Sequence, residues 1–269
     1  MRSNNNIVIF DLDETLGYFV EFGIFIDCLE EIYKNKINDN EFFKILDLYP
    51  EFIRPYMMKI LNYIINKKKE GKCHKVMIYT NNQGERTWVE NIKNYFNYKL
   101  KYNVFDKIIA AFKVDGKKIE LNRTTHNKTL DDLFRCVKLP SNVSICFVDD
   151  QYHEDMIDNN VYYIKIEPYK YDLNFNTIIE RYALYKNINN INNINNNDFY
   201  SQMNFIYNKY NYKVVEKTID SYKLDKIVSK KLFLHIKNFF KDNKNSNNNT
   251  RKKYLENNNK NVKTLKNYN

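Results

Sequence analysis

Five short stretches in the first 170 residues are apolar on consecutive positions: Ile7 to Phe10, Val76 to Tyr79, Ile108 to Phe112, Ile145 to Val148 and Val161 to Ile166. Each is rich in Ile, Val, Phe and Tyr, the pattern of a strand buried on both faces. Between them, Pro55 to Lys69, Glu85 to Asn97 and Lys128 to Val137 repeat apolar residues at the helical period. Strand alternating with helix predicts an α/β fold, a Rossmann-like doubly wound parallel sheet over residues 1–170. After the first strand, residues 17–53 form a small insert, in which Tyr18 to Phe25 predicts a hairpin and Asn40 to Leu48 one helix. An insert of that size makes a flap or a minimal lid and leaves the cleft open. No apolar run approaches the ~18 residues of a membrane span.

The last third is built differently. Residues 171–200 read as a helix followed by an Asn-rich linker, Asn187 to Asn197. In residues 201–240, Val215, Ile219 and Tyr222, then Leu232, Ile236 and Phe239, recur at helical spacing among lysines. Residues 241–269 have hardly an apolar pair and read as a disordered tail. Charge follows the same division: residues 201–269 hold 16 of the 43 Lys and Arg but only 5 of the 33 Asp and Glu. So basic a segment makes nucleic acid a candidate partner, beside the plainer reading of a solvated appendage. Every candidate catalytic residue precedes it, which predicts an appendage separable from the activity. Cys28, Cys73, Cys136 and Cys146 form no Cys-x-x-Cys pair, so a reduced, intracellular protein is expected. The four apolar residues after the polar N-terminus are too few for a secretory signal. The abundance of Asn, Lys, Ile and Tyr looks like the codon bias of an AT-rich genome and carries little chemistry.

In doubly wound sheets ligands bind beyond the carboxyl ends of the strands, so the residues after each apolar run matter most. The first run is followed by Asp11-Leu12-Asp13-Glu14-Thr15, the second by Thr80-Asn81-Asn82, and the fourth by Asp149-Asp150. Lys128 opens the predicted helix before the fourth strand, with Lys113, Lys117 and Lys118 as nearby alternatives. Carboxylates at strand ends hold a hard cation such as Mg²⁺ through oxygen. A carboxylate also attacks phosphorus, and a second one two residues on shuttles the proton. A lysine and a hydroxyl neutralise the phosphoryl oxygens.

This constellation resembles the haloacid dehalogenase superfamily of aspartate-nucleophile phosphatases. The resemblance implies that Asp11 is the nucleophile and Asp13 the general acid/base, with Thr80, Asn81 and Lys128 on the phosphoryl group. It implies Mg²⁺ held by Asp11, the Asp13 carbonyl, and Asp149 or Asp150. Within the superfamily the chain is most similar to the phosphatases of the RNA polymerase II C-terminal domain and their small relatives. It carries Asp-Leu-Asp-Glu-Thr-Leu at Asp11 to Leu16, Arg54-Pro55 before the next helix, and a loose match at Lys128 to Asp131. That likeness spans roughly Ile7 to Tyr169 and implies a phosphoprotein substrate.

The second motif departs from those relatives. Thr80-Asn81-Asn82-Gln83 is closer to that of histidinol-phosphate, heptose-phosphate and polynucleotide 3′-phosphatases, which keeps a nucleic-acid 3′-end open as a substrate. A silent binding module on the same fold is the third alternative. A calcium loop starting at Asp11 is excluded, because its sixth position is Leu16 and its twelfth Phe22. Thr15, Arg123 and His126 are further candidates for touching substrate. His153 and Glu154 are placed to support the acidic pair, and Trp88 reads as core.

Overall fold

The computed structural model describes residues 5–140, 142–171, 173–188 and 196–242. Its centre is a five-stranded, all-parallel sheet in the order β3-β2-β1-β6-β7, built from β1 (Asn6–Phe10), β2 (Lys75–Tyr79), β3 (Lys107–Ile109), β6 (Ser144–Asp149) and β7 (Val161–Lys165). All five predicted strands are present, although the third is cut short at Ile109. A two-residue hairpin, β4 (Lys113–Val114) and β5 (Lys117–Lys118), follows it. Successive strand residues point to opposite faces, so the sheet feeds two separate cores. Val8, Phe10, Val76, Ile78, Cys146 and Val148 belong to one; Ile7, Ile9, Met77, Tyr79, Ile145 and Phe147 belong to the other.

The helices are shared unequally between these faces. Of the eight among the described residues, seven contribute to the first core: α1 (Val20–Tyr33), α2 (Asp39–Leu46), α3 (Met57–Lys69), α4 (Arg86–Leu100), α6 (Phe175–Ile188), α7 (Asn196–Asn208) and α8 (Ile219–Asp242). The second core receives only α5 (Leu130–Cys136).

Two of these expectations change. Tyr18 to Phe25 is not a hairpin but the entry to α1: Phe22, Phe25 and Leu29 recur at helical spacing and are fully buried. The second insert helix, α2, lies where the pattern put it and is capped by Asn38, whose side chain accepts from the Glu41 N–H at 3.1 Å.

The C-terminal segment is not an appendage either. Val228, Leu232, Ile236, Phe239 and Phe240 of α8 are buried in the same core as the sheet, and Phe199, Met203 and Ile206 of α7 join them. Their apolar spacing signalled a helix, and the sheet's larger face is the surface that it covers. Val215 and the exposed Ile219 stand outside that contact. The Asn-rich stretch is helical at both ends, Asn187-Ile188 and Asn196-Asn197, and its middle lies outside the described residues. So does the tail beyond Asp242. None of the four cysteines is in a disulfide, and all are buried. Among the described residues no helix is long and apolar enough to cross a membrane.

Candidate active site

The sheet register sets the acidic residues side by side. Phe10 of β1 pairs with Val148 of β6, so the next residues, Asp11 and Asp149, emerge together at the carboxyl end, and the Asp11 N–H donates to the Val148 carbonyl at 2.9 Å. This is the switch point of the sheet, where connections leave in opposite directions. Carboxylate oxygens of Asp11, Asp149 and Asp150 all lie within 4.8 Å of one another. Lys128 stands between two of them, its Nζ donating to Asp11 Oδ1 at 2.5 Å and Asp149 Oδ2 at 2.7 Å. The cleft above has a volume of about 210 Å³ and is lined by Asp13, Thr80, Asn81 and Asn82 together with those four.

The loop after β1, Asp11 to Gly17, is held by backbone geometry and one arginine. Gly17 folds back against the segment before Arg54, and a Cβ there would lie 2.3 Å from the Phe52 carbonyl, so only glycine fits. Glu14 takes a left-handed conformation, φ 58°. The fully buried Arg54 donates to the carbonyls of Glu14 (2.5 Å), Thr15 (2.7 Å) and Glu167 (2.8 Å). Its guanidinium lies 5.4 Å from the centre of the Tyr169 ring. Thr15, a candidate substrate contact, is buried below the cleft, where its hydroxyl donates to Asp150 at 2.9 Å and fixes that carboxylate.

The loop that delivers Lys128 is also clamped from inside. Arg123, expected at the substrate, is fully buried and donates to four backbone carbonyls, those of Thr80, Ala110, His126 and Asn127, at 2.9–3.2 Å. It thereby ties the end of β2 to the lysine loop. His126, the third candidate, is exposed and packs its ring edge-on against Phe112, away from the cleft. Lys128 does not open α5: Thr129 is the N-cap, its hydroxyl accepting from the Asp132 N–H at 3.0 Å. The alternatives Lys113, Lys117 and Lys118 belong to the β4–β5 hairpin and do not line the cleft.

Two residues that sequence reasoning passed over complete the site. Asn82, next to the candidate Asn81, donates to Asp13 Oδ2 at 2.7 Å, while its own backbone N–H donates to the Thr80 hydroxyl at 3.0 Å. The asparagine pair signalled a polar turn, but not which member reaches the carboxylate. The buried Asp132 accepts from the Thr124 N–H and hydroxyl and the Thr125 N–H at 2.9–3.3 Å, fixing the loop after Arg123. Its position beside Asp131 made it look like one more acid of a helix's first turn.

Burial decides the protonation of this cluster. It raises Asp11 above the ordinary carboxylate range, against Lys128 and with help from Asp149. It raises Asp13 against the Asn82 hydrogen bond, and Asp150 against the Thr15 hydroxyl. Asp149 goes the other way. Burial alone would raise it, but the His153 ring, 3.3 Å away, and Lys128 outweigh that and lower it. The same two carboxylates overcome the burial of Lys128 and raise its ammonium, keeping it charged.

Comparison of the chain with protein-family models, with curated proteins and with solved structures found no match.

Proposed function

We propose that the protein is a Mg²⁺-dependent phosphomonoesterase of the haloacid dehalogenase type, acting on a phosphoprotein through an aspartyl-phosphate. The observation that carries this reading is Lys128 bridging Asp11 and Asp149 at adjacent strand ends, with Asp13 and Thr80 on the same cleft. A nucleophile, an acid/base, a cation and a hydroxyl then surround one phosphoryl-sized space.

The residues fit magnesium. The cluster offers oxygen donors only, and four carboxylates share one ammonium, an excess of buried negative charge that a divalent cation would offset. Asp11 with Asp149 or Asp150 would hold it, and the resemblance adds the main-chain carbonyl of Asp13. Bound there, the ion would neutralise phosphoryl oxygens and lower the repulsion between ester and nucleophile.

In the proposed reaction an Asp11 oxygen attacks phosphorus in line with the ester oxygen, whose bond to phosphorus breaks as the aspartyl-phosphate forms. Asp13, held by Asn82 and kept protonated more readily by its burial, gives its proton to the departing oxygen. It then takes a proton from the water that attacks phosphorus, releasing phosphate and restoring Asp11. Lys128 and Thr80 hold the equatorial oxygens throughout.

The test is hydrolysis of an aryl phosphate by the full-length chain with Mg²⁺. Turnover that disappears in Asp11→Asn and Asp13→Asn supports the reading. No turnover of any phosphomonoester would favour the silent binding module.

A further inference from the structure

Beside the phosphate cleft runs a second, larger groove of about 660 Å³, between the insert helices and the start of α4. Asp13, Phe19, Val20 and Asn82 line both spaces, so a substrate whose phosphate sits over Asp11 continues into this groove. Its floor is apolar. Phe19, Ile24 and Ile37 line it with the half-buried ring of Trp88, which rests on Phe22 and Phe42 at centroid distances of 6.0 and 5.7 Å. Gly23 leaves space opposite that ring, where a Cβ would stand 3.5 Å from it. Its lining is acidic: Asp13, Asp27, Glu30, Asp39 and Glu85 face one lysine, Lys36, already paired with Glu30 at 2.7 Å.

We infer that this groove receives the polypeptide next to the phosphorylated residue, and that it selects a segment with an apolar side chain and one or more Lys or Arg. This rests on the phosphoprotein reading and gives its substrate a chemistry. The apolar floor takes an aliphatic or aromatic side chain, and the carboxylates attract its basic neighbour. A nucleic-acid strand would instead carry a phosphodiester past every acid of that lining, and like charges set against each other disfavour it. The groove therefore weighs against the 3′-phosphatase alternative, although basic residues abound elsewhere in the chain.

Trp88 is the only tryptophan of the chain, so its fluorescence reports occupation of the groove independently of turnover. The full-length protein is titrated with three unphosphorylated ligands: a nonapeptide holding one Leu and two Arg, its counterpart with Glu for Arg, and a single-stranded nine-nucleotide DNA. The basic peptide is expected to shift the emission saturably and to weaken with salt. Asp27→Asn combined with Glu85→Gln should reduce its affinity at least fivefold. Gly23→Leu, which suits a helix better than glycine, should fill the space and abolish the shift. Phosphorylated forms of the two peptides should differ at least tenfold in kcat/KM in favour of the basic one. A DNA that shifts Trp88 more strongly than the basic peptide, or equal responses to both peptides, overturns the inference. Peptide binding without turnover of any ester would remove the catalytic reading and leave the groove. Aryl-phosphate turnover with a silent Trp88 would do the reverse.

Discussion

The two faces of the sheet are held by different forces. The larger face carries seven helices and an apolar core that runs from the insert to α8. Among the described residues the smaller carries α5 alone, and the loop leading to it is fixed by polar clamps: Arg123 on four carbonyls, Asp132 on Thr124 and Thr125, and the Tyr79 hydroxyl accepting from the Thr129 N–H at 3.2 Å. Apolar packing is non-directional and tolerates small shifts, whereas a set of hydrogen bonds fixes position. Stability therefore resides chiefly on the large face. The small face supplies the ammonium that must stand at hydrogen-bond distance from two carboxylates at once, those of Asp11 and Asp149. Substitutions on the first should be read in melting temperature, and those on the second in turnover.

The strongest attack on this division is deletion of α8. Ending the chain after Thr218 removes Val228, Leu232, Ile236, Phe239 and Phe240, all buried against the large face. At roughly 1.5–3 kcal/mol for each large side chain, the loss is on the order of 10 kcal/mol, comparable to the whole stability of a typical domain. The stretch leading into α8, which this truncation keeps, has contacts of its own with Tyr18 and Tyr169. Lys217 donates to the Lys170 carbonyl at 2.6 Å and lies over the Tyr169 ring, and the Tyr212 hydroxyl meets that of Tyr18 at 2.5 Å. The truncated chain should show no cooperative thermal transition by circular dichroism. A transition within a few degrees of the full chain would mean that the large face does not need its C-terminal helices.

At the seam between the faces, Asp11→Asn should do the opposite. Lys128 keeps Asp149 as a partner, and one crowded carboxylate is gone, so the melting temperature should hold or rise. Turnover should fall at least 1,000-fold, about 4 kcal/mol of barrier, because an amide is no nucleophile. Retained turnover would remove Asp11 from the reaction.

How much of this was legible beforehand depended on the kind of force. Consecutive apolar runs announced all five strands, and the acids after Phe10 and Val148 announced the cluster, since parallel register does the rest. The hairpin expected at Tyr18 to Phe25 failed because a helix buried nearly all round shows an apolar run much like a strand's. The C-terminal helices were legible as amphipathic, but the surface that they cover is set by tertiary packing. Arg123 and Asp132 were illegible as clamps: their partners are mostly backbone groups, and backbone groups leave no mark in a sequence.

Arg123→Met sharpens the contrast between packing and clamping. Methionine keeps much of the apolar stem against Tyr79, over whose ring the guanidinium sits at 4.9 Å, but releases four carbonyls. A loss of about 3 kcal/mol in stability is expected, small beside the loss of α8. Because Arg123 is a positioning residue, its effect should fall on kcat, ten- to 100-fold, with KM nearly unchanged. A KM effect alone would return it to the role of substrate contact.

The smallest expected effect is the response to Mg²⁺, and its dependence on pH makes it diagnostic. Burial places Asp11, Asp13 and Asp150 above the ordinary carboxylate range in the folded chain. The folded protein therefore binds these protons more tightly than the unfolded one. Their contribution to stability is fully present below the ordinary range near pH 4 and is lost as pH rises through the raised values. Asp149, lowered by His153 and Lys128, has the opposite sign, adding stability that is lost only in more acidic solution. Between pH 5 and 8 the net result is a metal-free cluster that strains the fold increasingly as it ionises. On the proposed reading a divalent cation would compete with those protons and offset the charge that builds up, so its binding would strengthen as pH rises. At 100 times its dissociation constant, Mg²⁺ would add about 2.7 kcal/mol. For a chain of this size that is a rise of roughly 5–10 °C. Melting curves with and without Mg²⁺ should separate by that amount near pH 8 and converge towards pH 5. The separation should disappear in Asp11→Asn combined with Asp149→Asn, whereas Arg123→Met, which leaves the carboxylates in place, should keep most of it. A shift independent of pH, or one that survives the double substitution, would put the ion elsewhere and leave the strand-end acids as a site for Lys128 alone.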